Sequence, residues 1–325
     1  MKKILFLSKG EESSSTRYRA LQYFPLLQRT GFTAEHVTVS GGGAAFALAL
    51  RKAAGADVVV VLRKTFPQPL LWLLRRVSRK LAFDFDDAIF CNTDGSPSRT
   101  RMPRFNAMAR VCDHILAGNS FLLKNAERFN PAVTLLPTSL DVQRYLVEAD
   151  KPVGNIDLVW IGSSSTRKYL IEALPALRLV ARRLPNLRLK VIADFDLPDA
   201  GLPVVVERWQ AATEAHALAS SHIGIAPMRD DDWSRGKCAL KVLQYMAAGL
   251  PVVSSDCGAN AEVVEDGING YLVDTDQAWC DRIVTLANDE ALRVRMGEAG
   301  RQKVLKTYSV EPVFCRLRAV FETLS

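Results

Sequence analysis

Lys237, Lys241 and Gln244 stand at i, i+4 and i+7, a spacing that puts them on one face of a helix. Two cations beside the positive end of a helix make an anion site. An amide one turn further on can hold a hydroxylated group attached to that anion, so phosphate joined to a sugar fits the face. Without a ligand the same residues read as solvated lysines at a helix end. A second candidate is the run Gly162-Ser163-Ser164-Ser165-Thr166-Arg167-Lys168, whose small residues can offer backbone N–H groups to a phosphate or simply cap a helix. A third is Ser13-Ser14-Ser15-Thr16-Arg17-Tyr18-Arg19, in which Arg17 and Arg19 point to different sides of a helix. A fourth is Asp84-Phe85-Asp86-Asp87, which offers carboxylates for a sugar hydroxyl or for general-base work, or an N-cap with a surface acid.

These residues sit at the joints of an alternating pattern. Ile4–Leu7, His36–Val39, Asp57–Leu62, Leu81–Phe85, His114–Ala117 and Thr134–Leu136 read as strands, with Tyr18–Thr30, Ala44–Ala53, Pro69–Lys80 and Ser120–Phe129 as helices. After the loose stretch through Asp150-Lys151-Pro152 the alternation restarts with the strand Ile156–Ile161 and the helix Tyr169–Leu184. Strands follow at Arg188–Ala193, Val204–Val206, Ile223–Pro227 and Gly270–Val273. Within Lys237–Val253 a helix leads into a buried strand, with Gly249 as its stop and Pro251 preventing continuation. Such βαβ alternation predicts α/β halves with parallel sheets covered on both faces. The candidate residues fall where strands end, which in open α/β sheets is where ligands bind.

At 325 residues two domains are the default. Apolar content of 48% and charge of 24% belong to an ordinary globular enzyme. Six cysteines without a C-x-x-C pair, and four histidines without ligand spacing, point to a reduced cytoplasmic setting and no metal. The run Ile4-Leu5-Phe6-Leu7 is too short for a signal-peptide core, and no apolar segment reaches membrane-spanning length. The net charge of +7 lies in the first half: residues 1–150 hold 21 Lys and Arg against 13 Asp and Glu. This favours an anionic partner such as a phosphorylated acceptor or a membrane surface, or else is a solvated face. The basic stretch Leu70–Lys80 is open to the same two readings.

The chain resembles the GT-B glycosyltransferases of the large retaining family 4 type over nearly its whole length, most strongly in the second half. The resemblance is carried by Ile223-Gly224-Ile225-Ala226-Pro227, by Met246-Ala247-Ala248-Gly249-Leu250-Pro251-Val252-Val253 and by Glu262 to Val273, EVVEDGINGYLV. It implies two Rossmann-like domains with a cleft between them. Residues 1–150 would be an N-terminal acceptor domain and 151–308 a donor domain, with 309–325 a helix packing back on the first domain. Lys237 and Lys241 match a K-x-x-x-K subgroup and would stabilise the leaving diphosphate, while Gly162, Ser163, Arg167 and Lys168 would help hold the donor. The resemblance gives Asp86 and Asp87 a place beside the transferred sugar, and Ser15, Arg17 and Arg19 a place beside a phosphate of donor or acceptor. Where the family commonly has two glutamates this chain has Gly236 and Gln244, so Gln244 would meet the donor ribose with an uncharged amide.

The expectation is therefore a cytoplasmic hexosyltransferase-like enzyme. It would act with retention in envelope glycan or lipopolysaccharide-type synthesis, take a nucleotide-sugar donor and a glycan or lipid-linked acceptor, and need no cofactor or metal. Peripheral contact with an anionic membrane is part of the expectation, and no nucleic-acid partner is. The D-x-D spacing at Asp84 and Asp86 invites a metal reading, against which the resemblance to a metal-independent fold argues. The rival is a catalytically inactive GT-B homologue serving as a binding or scaffold protein. A nucleotide-sugar epimerase is disfavoured, since Tyr169 and Tyr245 lack a Lys four residues on.

Overall fold

The computed structural model describes residues 1–324. The chain forms two compact units. Unit 1 comprises Met1–Ser139, Asp231–Cys238 and Val310–Ser325, and unit 2 comprises Leu140–Asp230 and Ala239–Ser309. The change of unit thus falls at Ser139/Leu140 rather than at 150, and eight residues from the middle of the second half fold with the first.

Unit 1 is built on β1 (Lys2–Ser8), β2 (Phe32–Thr38), β3 (Val58–Leu62), β4 (Lys80–Phe85), β5 (His114–Ala117) and β6 (Val133–Leu135). They form one parallel sheet in the order β2-β1-β3-β4-β5-β6. Side chains alternate across it. Leu5, Leu7, Val59, Val61, Phe83 and Phe85 enter one core, and Ile4, Phe6, Val58, Val60 and Ala82 enter the other. The second core is closed by the helix Val310–Leu324, which buries Val313, Phe314, Leu317, Val320 and Phe321. Their i, i+4, i+7 spacing is one helical face. At about 1.5–3 kcal/mol for each large apolar side chain, this face anchors the helix without help from charges.

Two expected helices change. The single helix expected over Tyr18–Thr30 is three short pieces, Ser14–Arg19, Leu21–Tyr23 and Phe24–Arg29. The chain leaves helical geometry at Ala20, and Pro25 lacks the N–H that a continuous helix would need. The helix expected over Pro69–Lys80 runs Gln68–Val77, and Lys80 is the first residue of β4. A further helix runs Arg101–Val111 and buries Phe105, Met108 and Ala109 at i, i+3 and i+4, a periodicity the sequence reading leaves out.

Unit 2 repeats the plan with β7 (Ile156–Ile161), β8 (Leu187–Ala193), β9 (Val204–Arg208), β10 (Ile223–Ala226), β11 (Val252–Ser255) and β12 (Gly270–Val273). The parallel order is β12-β11-β10-β7-β8-β9. Between β10 and β11 lies the helix Leu240–Ala247, which stops as expected at Gly249. Gly249 N–H donates to the Met246 carbonyl at 3.0 Å and Leu250 N–H to the Tyr245 carbonyl at 2.9 Å, with Gly249 at φ +75°. That is a Schellman stop, and it requires the left-handed conformation glycine adopts without strain. Among the described residues, no helix is long and apolar enough to cross a membrane.

Candidate functional site

In unit 1 the polar residues gather at the carboxyl ends of β1, β3 and β4. Ser15 Oγ donates to both oxygens of Asp86, at 3.0 and 2.8 Å, and accepts from Arg63 Nη1 at 2.7 Å. Arg63 also meets the Asp87 carboxylate, and its Nε lies 3.5 Å from Asp86. Lys237 Nζ completes the group, donating to the other Asp87 oxygen at 2.7 Å while it sits 4.3 Å from the centre of the Trp233 ring. Arg63 holds a left-handed backbone at φ +51°. For a bulky residue this costs about 1–3 kcal/mol, which the surrounding ion pairs offset.

Lys237 reaches this group because Asp231–Cys238 is docked on unit 1. Asn119 Nδ2 donates to the carbonyls of Arg235 and Lys237, both at 2.9 Å, while its Oδ1 caps the following helix by accepting from Leu122 N–H. Two glycines permit the approach. A Cβ on Gly236 would come within 2.4 Å of the Ala88 Cβ, and one on Gly118 within 2.5 Å of the Cys238 sulfur.

Beneath the group, Arg19 and Asp84 form a buried ion pair. Nε and Nη2 of Arg19 donate to the two Asp84 oxygens at 2.5 and 2.8 Å, and Nη1 donates to the Leu136 carbonyl at 2.9 Å. The residues are 2% and 1% exposed, which leaves no face for a ligand. Burial pushes the Asp84 carboxyl up to about 6 while the guanidinium pulls it down. Burial also opposes the Arg19 charge, but Asp84 outweighs it and raises the guanidinium pKa.

In unit 2 Lys241, on the helix Leu240–Ala247, reaches the carboxyl end of β7. Its Nζ lies 3.9 Å from the centre of the buried Trp160 ring and donates to Thr166 Oγ1 at 3.2 Å. Gly162 makes this possible, since a Cβ there would lie 2.7 Å from Nζ and 2.5 Å from the Trp160 ring. The loop after Gly162 is a 3-10 turn, Ser164–Thr166. Ser163 Oγ bonds Ser165 Oγ at 2.8 Å, and the Ser164 N–H is taken by Asp194 at 3.0 Å. Arg167 stacks on Phe195 at 5.2 Å with its Nε buried and without a hydrogen bond, and Lys168 lies over the Tyr169 ring at 4.8 Å.

The structure thus joins Ser15, Asp86, Asp87 and Lys237 in unit 1, and Gly162, Thr166 and Lys241 in unit 2. Three expectations are corrected. Lys237 and Lys241 do not share a helix face. Ala239 at φ +53° breaks the backbone between them, and the helix begins at Leu240, so the i, i+4 argument has no helix to act on. Arg19 is not beside a phosphate position, because it is enclosed with Asp84; Arg17, half-buried, lies over the Tyr18 ring at 5.9 Å. Gln244 does not present its amide to a ligand. It is 4% exposed, and Nε2 donates to Glu214 at 2.8 Å and lies 3.2 Å from the Tyr145 hydroxyl. Glu214 also accepts from Tyr145 at 2.6 Å and Trp209 at 2.5 Å.

Sequence reasoning passed over Arg63, Lys64 and Glu214. Arg63 and Lys64 directly follow the apolar strand VVVVL, a strand-end signal equal to the one that singled out Asp86. Glu214 gave no such signal, since its partners Gln244 and Tyr145 lie 30 and 69 residues away.

Comparison with known proteins agrees with this architecture. Residues 155–289 match the family described as Glycosyl transferases group 1. The phosphatidyl-myo-inositol mannosyltransferase of Mycobacterium tuberculosis is 28% identical over 173 residues, 49% of this chain and 44% of that protein. The match therefore spans under half of that relative's length. A sucrose-phosphate synthase from Thermosynechococcus elongatus superimposes with a TM-score of 0.79, at 13% identity and over 100% of this chain and 99% of the other. Anabaena HepE, solved with UDP and glucose, gives 0.74 at 16% identity over 99% and 100%. At such identities the likeness shows the fold, which is GT-B.

Proposed function

We propose that this chain, a GT-B protein whose residues 155–289 are of the group 1 glycosyltransferase type, transfers a hexose with retention from a nucleotide-sugar donor to an acceptor hydroxyl. Unit 2 takes the donor and unit 1 the acceptor, a glycan or lipid-linked precursor of envelope or lipopolysaccharide type. The observation that carries the reading is Lys241 held at the end of β7 beside Gly162, within the segment that matches the family. As the glycosidic bond breaks, negative charge grows on the departing diphosphate. A cation already fixed at that point stabilises the transition state more than the bound donor. Lys241 has that part, with Gly162, Ser163, Arg167 and Lys168 around the donor and no metal required.

Asp86 is the carboxylate for the acceptor hydroxyl or the transferred sugar, with a side chain 14% exposed against 4% for Asp87. Asp87 and Lys237 hold Arg63 and the loop in place around it. The protein works in the cytoplasm with peripheral contact to an anionic membrane. Trp72, 61% exposed, and the Arg76 guanidinium 5.5 Å over its ring form the contact. The other basic residues nearby are already paired, Arg75 and Lys80 with Asp113 and Arg79 with Asp57. Unchanged binding of a Trp72→Ala, Arg76→Glu variant to anionic liposomes would remove the membrane contact from the reading.

A hydrolysis screen with UDP-, GDP-, dTDP- and CMP-sugars, run in a metal chelator, tests the main reading. One nucleotide class should be consumed, and NMR should find the sugar transferred with its anomeric configuration kept. If calorimetry finds no nucleotide sugar that binds, the activity is lost and a scaffold role takes its place.

A further inference from the structure

Unit 1 holds a cavity of about 490 Å³ at the carboxyl ends of β1 and β3. That is within the range of about 300–1,000 Å³ usual for small-molecule sites. Lys9, Arg63, Lys64 and Arg101 line it, with Ser13 and Trp233, and no Asp or Glu contributes to the lining. Arg63 is engaged by Asp86 and Asp87. Lys9, Lys64 and Arg101 pair with no carboxylate among the described residues. Lys64 Nζ donates to the Val39 carbonyl at 2.8 Å and Arg101 Nη1 to the Cys91 carbonyl at 2.9 Å, bonds that orient the cations without cancelling their charge. Glu11, close in sequence, lies 3.5 Å from His36 instead.

Three like charges facing one partly enclosed space repel one another, and burial together with the Lys9 charge pushes the Lys64 pKa down. An anion in the cavity removes that penalty and gains charge-assisted hydrogen bonds. Trp233 adds an aromatic wall suited to the apolar face of a sugar ring. Arginine and lysine recognise phosphate and carboxylate alike, so the chemistry they share is the oxyanion.

We propose that this cavity binds an oxyanion carried on a sugar, the charged part of the acceptor, through Lys9, Lys64 and Arg101. The proposal rests on the reading of unit 1 as the acceptor unit. Calorimetry on the full chain at low ionic strength tests it, with glucose 1-phosphate, glucuronate and glucose as probes. At least one charged probe should bind about tenfold or more tightly than glucose, and which one binds separates phosphate from carboxylate. A Lys64→Met, Arg101→Met double variant should weaken that binding about tenfold or more, and Lys64→Arg, Arg101→Lys should restore most of it. Equal binding of glucose, no binding of either charged probe, or an unchanged double variant would overturn the proposal. Titrating the same wild-type preparation with nucleotide sugars keeps the two readings apart. Nucleotide-sugar binding without oxyanion binding sinks the cavity alone. Oxyanion binding that depends on Lys64 and Arg101, without any nucleotide-sugar binding, sinks the transferase reading and leaves the cavity.

Discussion

Two lysines four residues apart end in different chemistry. In unit 1, Lys237 is tied to Asp87, which Arg63 holds from the other side. In unit 2, Lys241 lies against the Trp160 ring and donates to the Thr166 hydroxyl. On the proposed function the first belongs to the scaffold of unit 1 and the second meets the donor's diphosphate. The same contrast divides the strand ends of unit 1. The groups around Asp84 and Asp87 are joined to one another, whereas Lys64 and Arg101 in the neighbouring cavity donate to carbonyls and pair with no carboxylate among the described residues.

The sharpest way to break this comparison is Asp84→Asn, which leaves the Arg19 guanidinium buried without a counter-charge. Loss of about 3–5 kcal/mol is expected in urea unfolding, since removing one member of a buried pair strands the other. A loss below about 1 kcal/mol would mean the pair is not a structural base. Next come Lys241→Met and Lys237→Met, measured side by side. Lys241→Met should weaken nucleotide-sugar binding by about tenfold or more with the melting temperature nearly unchanged, as for a lost charge-assisted bond to phosphate. Lys237→Met should lower the melting temperature and leave donor affinity close to wild type. The reverse pattern would return the donor role to Lys237.

Gln244→Glu follows. It would place a second carboxylate where an amide now donates to Glu214 at 2.8 Å. Urea unfolding should show a loss of about 1–3 kcal/mol of stability at neutral pH. Two facing carboxylates raise the folded-state pKa, so the deficit should shrink as pH falls toward the ordinary carboxylate range. The last effect lies at the other end of unit 2 and shows only below neutral pH. Burial, with Lys151 and Arg293 nearby, pushes the His222 imidazole down to about 4, and its Nδ1 accepts from Asp157 N–H at 3.0 Å. The unfolded chain takes up this proton near pH 6.5 and the folded chain does not. Stability should therefore fall as pH drops from about 6.5 to about 4. His222→Asn, which keeps an acceptor, should flatten that slope in denaturant midpoints measured across this range.

Much of the molecule was legible because its signals are local. The strand of four consecutive valines at Val58–Val61 can only be buried on both faces, and β3 is. Asp86 and Gly162 were found because each directly follows an apolar strand. Gln244 misled because a helix position and a likeness of motif say nothing about which side chain from another segment will face it. Arg19 misled for the same reason, since its partner Asp84 is 65 residues away.

The sequence by itself determined the two α/β halves, the stop at Gly249 and the strand ends where chemistry gathers. Each follows from residue periodicity or from the backbone freedom of a single glycine. Only the tertiary structure decided which charges meet. Ala239 takes a left-handed conformation that alanine does not favour, and residues 231–238 leave their sequence neighbours for unit 1. Lys237 then finds Asp87, 150 positions earlier in the chain. Long-range pairing of this kind depends on packing at Gly118 and Gly236, where the absence of a Cβ lets backbones approach, and no spacing along the chain encodes it.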